Sequence, residues 1–193
     1  MIVPFDSRDL VSRLREVLLN GGTAIVPCDT MYGIIGVVPQ SEARIRALKG
    51  RGEEKPFLQL VADSSWIRRI SGFDVPPSLA RHWPGPLTLV IPGNAVRSGE
   101  CSTIALRVPD SAFLRELMLL LDRPVYSTSV NRAGKSPLWK ISEISAEFGA
   151  DVDIIVDAGD LAEGHPSTIL DVTSRPFIIL RQGALEIPPA DLV

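Results

Sequence analysis

The sequence predicts an α/β fold, a single domain in which a mixed sheet of parallel and antiparallel strands is flanked by helices. Three observations predict it. Short apolar runs interleave with stretches of helical period along the whole chain. Several neighbouring runs are joined by connections too short for a parallel crossover, which forces antiparallel pairs into the sheet. The 193 residues suit one core and leave no room for a second, so residues 1–193 are read as one domain.

Taken in order, Ser7 is placed to cap a helix whose apolar residues Leu10, Leu14, Val17 and Leu18 recur at helical spacing, with Asn20-Gly21-Gly22 as its stop. The run from Thr23 to Pro27 reads as a buried strand and Ile34 to Val38 as a second, with Cys28 to Gly33 between them. Ser41 to Leu48 reads as a short helix that passes into the loop Lys49-Gly50-Arg51 and Lys55-Pro56. Strands follow at Phe57 to Val61, Leu87 to Ile91 and Thr103 to Val108, set apart by Trp83-Pro-Gly-Pro86 and Pro92-Gly93-Asn94. Ser111 caps a helix with a stripe of Phe113, Leu114, Leu117, Met118 and Leu121, stopped before Pro124. Val125 to Thr128 is a strand leading to Ser129-Val130-Asn131. A helix around Ser142 to Phe148 ends at Gly149, and strands at Ile154 to Val156, Thr168 to Val172 and Phe177 to Leu180 complete the pattern.

Composition excludes several classes. Apolar residues are 45% and charged residues 22%, as in ordinary globular proteins and unlike disordered or fibrous chains. No apolar run approaches the ~20 residues that span a bilayer, and acidic residues stand where a signal peptide would be basic, so a cytoplasmic protein with no membrane contact is expected. A net charge of −3 argues against binding nucleic acid mainly by neutralising phosphates. The two cysteines, Cys28 and Cys101, form no CxxC pair and have no adjacent base, which disfavours a zinc knuckle, a disulfide framework and a cysteine hydrolase. No P-loop or GxGxxG run occurs, and the scattered aspartates show no metal-ligand spacing; Asp29 and Asp171 read as turn or cap residues. Trp66, Trp83 and Trp139 read as packing residues ahead of stacking platforms.

Three groups of residues carry candidate chemistry. Lys49, Arg51 and Lys55 put three cations on a glycine-bearing loop, able to turn toward one polyphosphate or simply to complement the negative end of the preceding helix. Ser129 and Asn131, two residues apart in an extended segment, face one side and present a donor and acceptor pair, although a turn or helix cap uses the same residue types. Arg107 and Arg181 each close a strongly apolar strand, where a guanidinium needs a carboxylate, a phosphate or water as partner.

In this order, the blocks Val26-Pro-Cys-Asp-Thr30-Met-Tyr-Gly33, Lys49-Gly-Arg51 with Lys55-Pro56, Trp83-Pro-Gly-Pro-Leu-Thr88, Ala105-Leu-Arg107-Val-Pro109, Ser127-Thr-Ser-Val-Asn131, Pro166-Ser-Thr-Ile169 and Leu180-Arg-Gln-Gly183 resemble the YrdC family, over residues from about 20 to 184. The resemblance implies a twisted mixed sheet around a deep basic cleft, and threonylcarbamoyl-AMP synthase activity serving a tRNA modification. It implies ATP contacts from Lys49, Arg51, Lys55, Thr103, Asn131 and Arg181, with Lys49 and Arg51 catalytic. It implies threonine contacts from Thr30, Tyr32, Arg107, Ser129 and Ser167. Two departures from the family pattern stand out: Val130 replaces a usual alanine, and Cys28 replaces a usual threonine. The chain also resembles the short form that lacks an added C-terminal domain. Substrates on this reading are ATP, L-threonine and bicarbonate; Mg2+ arrives with the triphosphate, and no dedicated protein metal site is expected. The product would pass to the downstream tRNA threonylcarbamoyl transferase by a transient contact, with at most weak RNA binding. The alternatives are a double-stranded RNA or ribosomal-precursor binding module of the same fold, and a carbamoyl-transfer enzyme acting on another donor.

Overall fold

A computed structural model describes residues 1–50, 52, 56–93 and 103–192. The chain order is β1 (Ile2–Pro4), α1 (Leu10–Leu19), β2 (Ala24–Pro27), β3 (Tyr32–Val37), α2 (Glu42–Lys49), β4 (Leu58–Leu60), α3 (Ser65–Ser71), α4 (Pro77–Ala80), β5 (Leu87–Pro92) and β6 (Thr103–Arg107). It continues with α5 (Ala112–Leu121), β7 (Val125–Ser129), α6 (Ile141–Phe148), β8 (Ile154–Asp157), β9 (Thr168–Asp171) and β10 (Ile178–Arg181), then a 3-10 turn at Pro189–Asp191.

The described strands form one sheet in the order β1-β8-β2-β3-β7-β4-β6-β5-β9-β10. It is mixed, as the short connections require: β2 and β3 form an antiparallel hairpin, while β2 with β8, β4 with β6 and β5 with β9 are parallel. Alternation along each strand feeds two separate cores. Ala24, Val26, Ile35, Val37, Ile154 and Val156 join the larger one, where the buried stripes of α1 (Leu10, Leu14, Leu18) and α5 (Leu114, Leu117, Met118, Leu121) pack. Their neighbours Ile25, Ile34, Tyr126 and Ile155 join the smaller one under Ile45 and Leu48 of α2 and Ile144 and Phe148 of α6. Helices thus cover both faces of the sheet, each held by burial of its apolar stripe.

Several elements depart from the sequence reading. The α1 N-cap is Asp9, and Ser7 contributes its backbone carbonyl to Leu10 N–H at 3.1 Å rather than a side-chain cap. By contrast Ser111 does cap α5, its hydroxyl accepting from Leu114 N–H at 3.3 Å. Strand β3 starts two residues early, at Tyr32, because Pro27 and Tyr32 already pair across the hairpin. Strand β1 and helices α3 and α4 were not anticipated. Three residues are too few to display a period, and α3 buries only Trp66 and Ile67 fully, so its stripe is too narrow to read. Gly149 follows α6 with an ordinary right-handed φ of −60°, so its left-handed freedom is not what ends that helix.

Candidate active site

Lys49 is the last residue of α2, not the first of a loop, and retains 4% of its exposure. Gly50 beyond it adopts φ +60°, the left-handed conformation that lets the chain leave the helix at once. The Lys49 ammonium donates to Ser129 O at 2.7 Å and to Asn131 Oδ1 at 2.5 Å, and Ser129 Oγ donates to the same Asn131 oxygen at 2.6 Å. Asn131 Nδ2 donates to Arg132 O and Lys135 O, so the whole amide is fixed in orientation. Ser129 and Asn131 meet, but not along an extended segment: β7 ends at Ser129, and Asn131 N–H folds back onto Ser129 O at 3.1 Å. Arg132, which sequence reasoning passed over, ties this turn down. Its guanidinium donates to Leu48 O, pairs with Glu147 and Asp151, and lies over the Phe148 ring; the two carboxylates raise its pKa.

A second group gathers around two arginines. Arg107, closing β6 and 4% exposed, donates from Nε to Gly85 O (2.9 Å), from Nη1 to Thr30 Oγ1 (3.3 Å) and from Nη2 to Asp29 Oδ2 (2.5 Å). Asp29 is therefore an ion-pair partner rather than a simple turn residue, whereas Asp171 does close a turn onto Thr173. Arg181, closing β10, donates from Nε and Nη2 to Ser167 O and from Nη2 to Ser167 Oγ, whose hydroxyl also meets Thr88 Oγ1 at 2.8 Å. Among the described residues no carboxylate pairs with Arg181. Its pKa lies below the ordinary arginine value, first because its guanidinium is partly desolvated and then because of the nearby charge of Arg107. Gly183 brings this corner together: a Cβ there would lie 2.2 Å from Pro166 O and 2.4 Å from the Ser167 carbonyl carbon. The two groups are linked through the β2–β3 connection, which carries Thr30, and the pairing of Gly33 with Ser129 across β3 and β7.

Tyr32 is wholly buried in the smaller core; its hydroxyl donates to Gly159 O and accepts from Ala158 N–H, holding the turn after β8. Burial raises its pKa. The Cys28 thiol is pushed up to about 12, by burial first and by the Asp29 charge second, which removes it as a nucleophile at neutral pH. Thr103 stands at a cavity of about 230 Å³ whose described lining includes Glu42, Arg46, Phe57, Gln59 and Tyr126. Glu42 and Arg46 pair with each other there at 2.7 Å, so these walls do not by themselves make a basic cleft. Arg51 and Lys55 lie outside the described residues. Asp29, Thr88, Gly85 and Arg132 were missed as site neighbours because each acts on a residue far along the chain; only the block positions of Asp29, Gly85 and Thr88 hinted at them. Among the described residues, no group of three or more His, Cys, Asp or Glu side chains could hold a metal ion, and no helix is long and apolar enough to cross a membrane.

A threonylcarbamoyl-AMP synthase of Pyrococcus abyssi is 29% identical over 184 residues, which are 90% of this chain and 54% of that protein. The chain thus spans about half the length of that relative. A threonylcarbamoyl-AMP synthase of Chromohalobacter salexigens is 30% identical over 179 residues, 88% of this chain and 96% of that one. Among solved structures, P. abyssi Sua5 complexed with L-threonine superposes with a TM-score of 0.83 at 27% identity, over 96% of this chain and 57% of the other. E. coli YciO superposes at 0.85 with 22% identity, over 100% and 98% of the two chains, a likeness of fold alone. The Sua5/YciO/YrdC family model, described as "Telomere recombination", matches residues 16–183, and the chain belongs to that family.

Proposed function

We propose that the protein makes threonylcarbamoyl-adenylate and pyrophosphate from L-threonine, bicarbonate and ATP, supplying the activated intermediate for threonylcarbamoylation of a tRNA adenosine. The observation that carries this reading is the electrostatic difference between two neighbouring arginines. Arg107 is held by Asp29 and Thr30, whereas Arg181 has only neutral Ser167 partners among the described residues. A cation without a counter-charge beside another cation is a place for a polyanion. The threonine-bound Sua5 structure and the names of the two synthases support the choice of amino acid and activity.

In this reading the threonine carboxylate meets Arg107, with the hydroxyls of Thr30, Ser129 and Ser167 around the amino acid and buried Tyr32 supporting the wall through the Ala158-Gly159 turn. Arg181, Lys49, Arg51 and Lys55 receive the triphosphate, and Thr103 the nucleoside. Asn131 acts by aiming the Lys49 ammonium. The neutral threonine amine adds to carbon dioxide and releases a proton, or displaces water from bicarbonate, to give an N-carboxylate, whose oxygen attacks the α-phosphorus in line while the bond to the pyrophosphate oxygen breaks. Two anions must approach each other, so clustered cations lower the barrier by offsetting their repulsion and the charge that develops on the phosphates. Magnesium enters as part of the nucleotide substrate. The reaction is cytoplasmic, and the labile product passes to a tRNA threonylcarbamoyl transferase through a transient contact. Pyrophosphate release from ATP tests the reading: it should require both L-threonine and bicarbonate and fail with serine. Folded protein that binds ATP but releases no pyrophosphate above background refutes it.

A further inference from the structure

We infer that Asp29 recognises the amine of the amino-acid substrate, so that Arg107 and Asp29 together form a site for a zwitterion and not for an anion; this rests on the assignment of Arg107 to the threonine carboxylate. The two side chains are covered almost completely, with 4% exposure left on Arg107 and 10% on Asp29. Asp29 Oδ2 is doubly engaged, accepting from Arg107 Nη2 at 2.5 Å and from Asp110 N–H at 3.0 Å. Its other oxygen, Oδ1, accepts nothing from the described residues. That oxygen is not fully buried, so a ligand group can reach it, and it belongs to the same carboxylate that holds the guanidinium meeting the substrate.

Arg107 shows the complementary half. Of the five N–H donors of an arginine, three are spent on Gly85, Thr30 and Asp29, which leaves two for a ligand carboxylate. The pair carries no net charge, so a simple anion gains from Arg107 what it loses to Asp29. An α-amino acid carries its ammonium on the carbon next to its carboxylate and can satisfy both groups at once. Arg181 differs on every count: it has no carboxylate partner among the described residues, and Arg107 adds to its positive field. Two arginines that close similar apolar strands are thereby sorted, one toward an amino acid and the other toward phosphate.

The test is ligand binding by calorimetry without ATP, using L-threonine and its 2-hydroxy analogue, 2,3-dihydroxybutanoate, which keeps the carboxylate and lacks the amine. The wild type should bind threonine at least about tenfold more tightly than the hydroxy acid, the loss expected for one charged hydrogen bond. Asp29→Asn should weaken threonine by a similar factor while holding or improving the hydroxy acid, so that discrimination collapses. An equal loss of both ligands would show that Asp29 only positions Arg107 and would overturn the inference, as would unchanged discrimination. If the variant does not fold, the wild type still decides, because equal affinity for the two ligands overturns the proposal without any substitution. Absence of threonine binding by the wild type would remove the functional reading itself, a result distinct from binding without discrimination.

Discussion

Replacing Lys49 by Met separates what its ammonium does for folding from what it does for turnover. The thioether stem keeps most of the packed length, while the donors to Ser129 O and Asn131 Oδ1 are lost. Hydrogen bonds to a charged group contribute about 1.5–3 kcal/mol each. Burying an ammonium to 4% exposure costs several kcal/mol in desolvation, a penalty that the methionine does not incur. The two effects largely offset, and Asn131 Oδ1 keeps the Ser129 hydroxyl as a donor. We therefore expect a net loss of only about 1–3 kcal/mol in urea denaturation, small enough for a domain of about 5–15 kcal/mol to stay folded. On the proposed nucleotide role of Lys49, turnover should fall far more, by about a hundredfold or beyond, because a preorganised charge has no substitute there. Pyrophosphate release measured beside the denaturation curve gives both numbers. Turnover within about threefold of wild type would refute the assignment of Lys49 to the nucleotide. A stability loss above about 5 kcal/mol would refute the offset.

Two further predictions concern the frame around the site. Gly183→Ala puts a methyl group 2.2 Å from Pro166 O, against backbone that cannot rotate away, and should lower stability by about 1–3 kcal/mol. Because Ser167 holds Arg181, the same change should raise KM for ATP; a wild-type melting temperature and KM would contradict the close approach. The Glu42 carboxyl sits below its ordinary value of 4.5, chiefly through its hydrogen bond with Arg46 and then with Tyr126, against the opposing effect of burial. A lowered folded pKa means that this group stabilises the protein fully above the unfolded value, and that the gain is lost as pH falls through the folded one. Wild type and Glu42→Gln should therefore differ in stability at neutral pH and converge in acid. The difference should be small because the side chain is 38% exposed and its pairing is screened. Equal stability at every pH would remove Glu42 from the walls of the cavity as a structural charge.

How far the sequence could be read depends on the range of the interaction. Helix α5 was legible because its cap and stripe lie within one short segment: Ser111 reaches Leu114, and the buried positions repeat every three or four residues. Helix α3 was not, since it buries only Trp66 and Ile67, with Ile70 partly covered, and seven residues with two adjacent arginines display no clear stripe. Asp29 looked like a turn residue because turns favour aspartate, and nothing nearby in the chain announces Arg107 as its partner. Lys49 looked like a loop cation, for a lysine followed by glycine commonly ends a helix in solvent; contacts with β7 and the turn after it bury it instead.

The sequence by itself determined the mixed α/β architecture, through short apolar runs whose connections admit only certain pairings, and it determined the family, through an ordered set of blocks. Tertiary structure alone decided which charges meet. Arg107 and Arg181 occupy equivalent-looking strand ends in the sequence, yet one is neutralised by a carboxylate from the β2–β3 connection and the other rests on the backbone and hydroxyl of Ser167. Propensity and periodicity are properties of a dozen neighbouring residues, whereas the field at a guanidinium is set by whatever the folded sheet brings within a few ångströms of it.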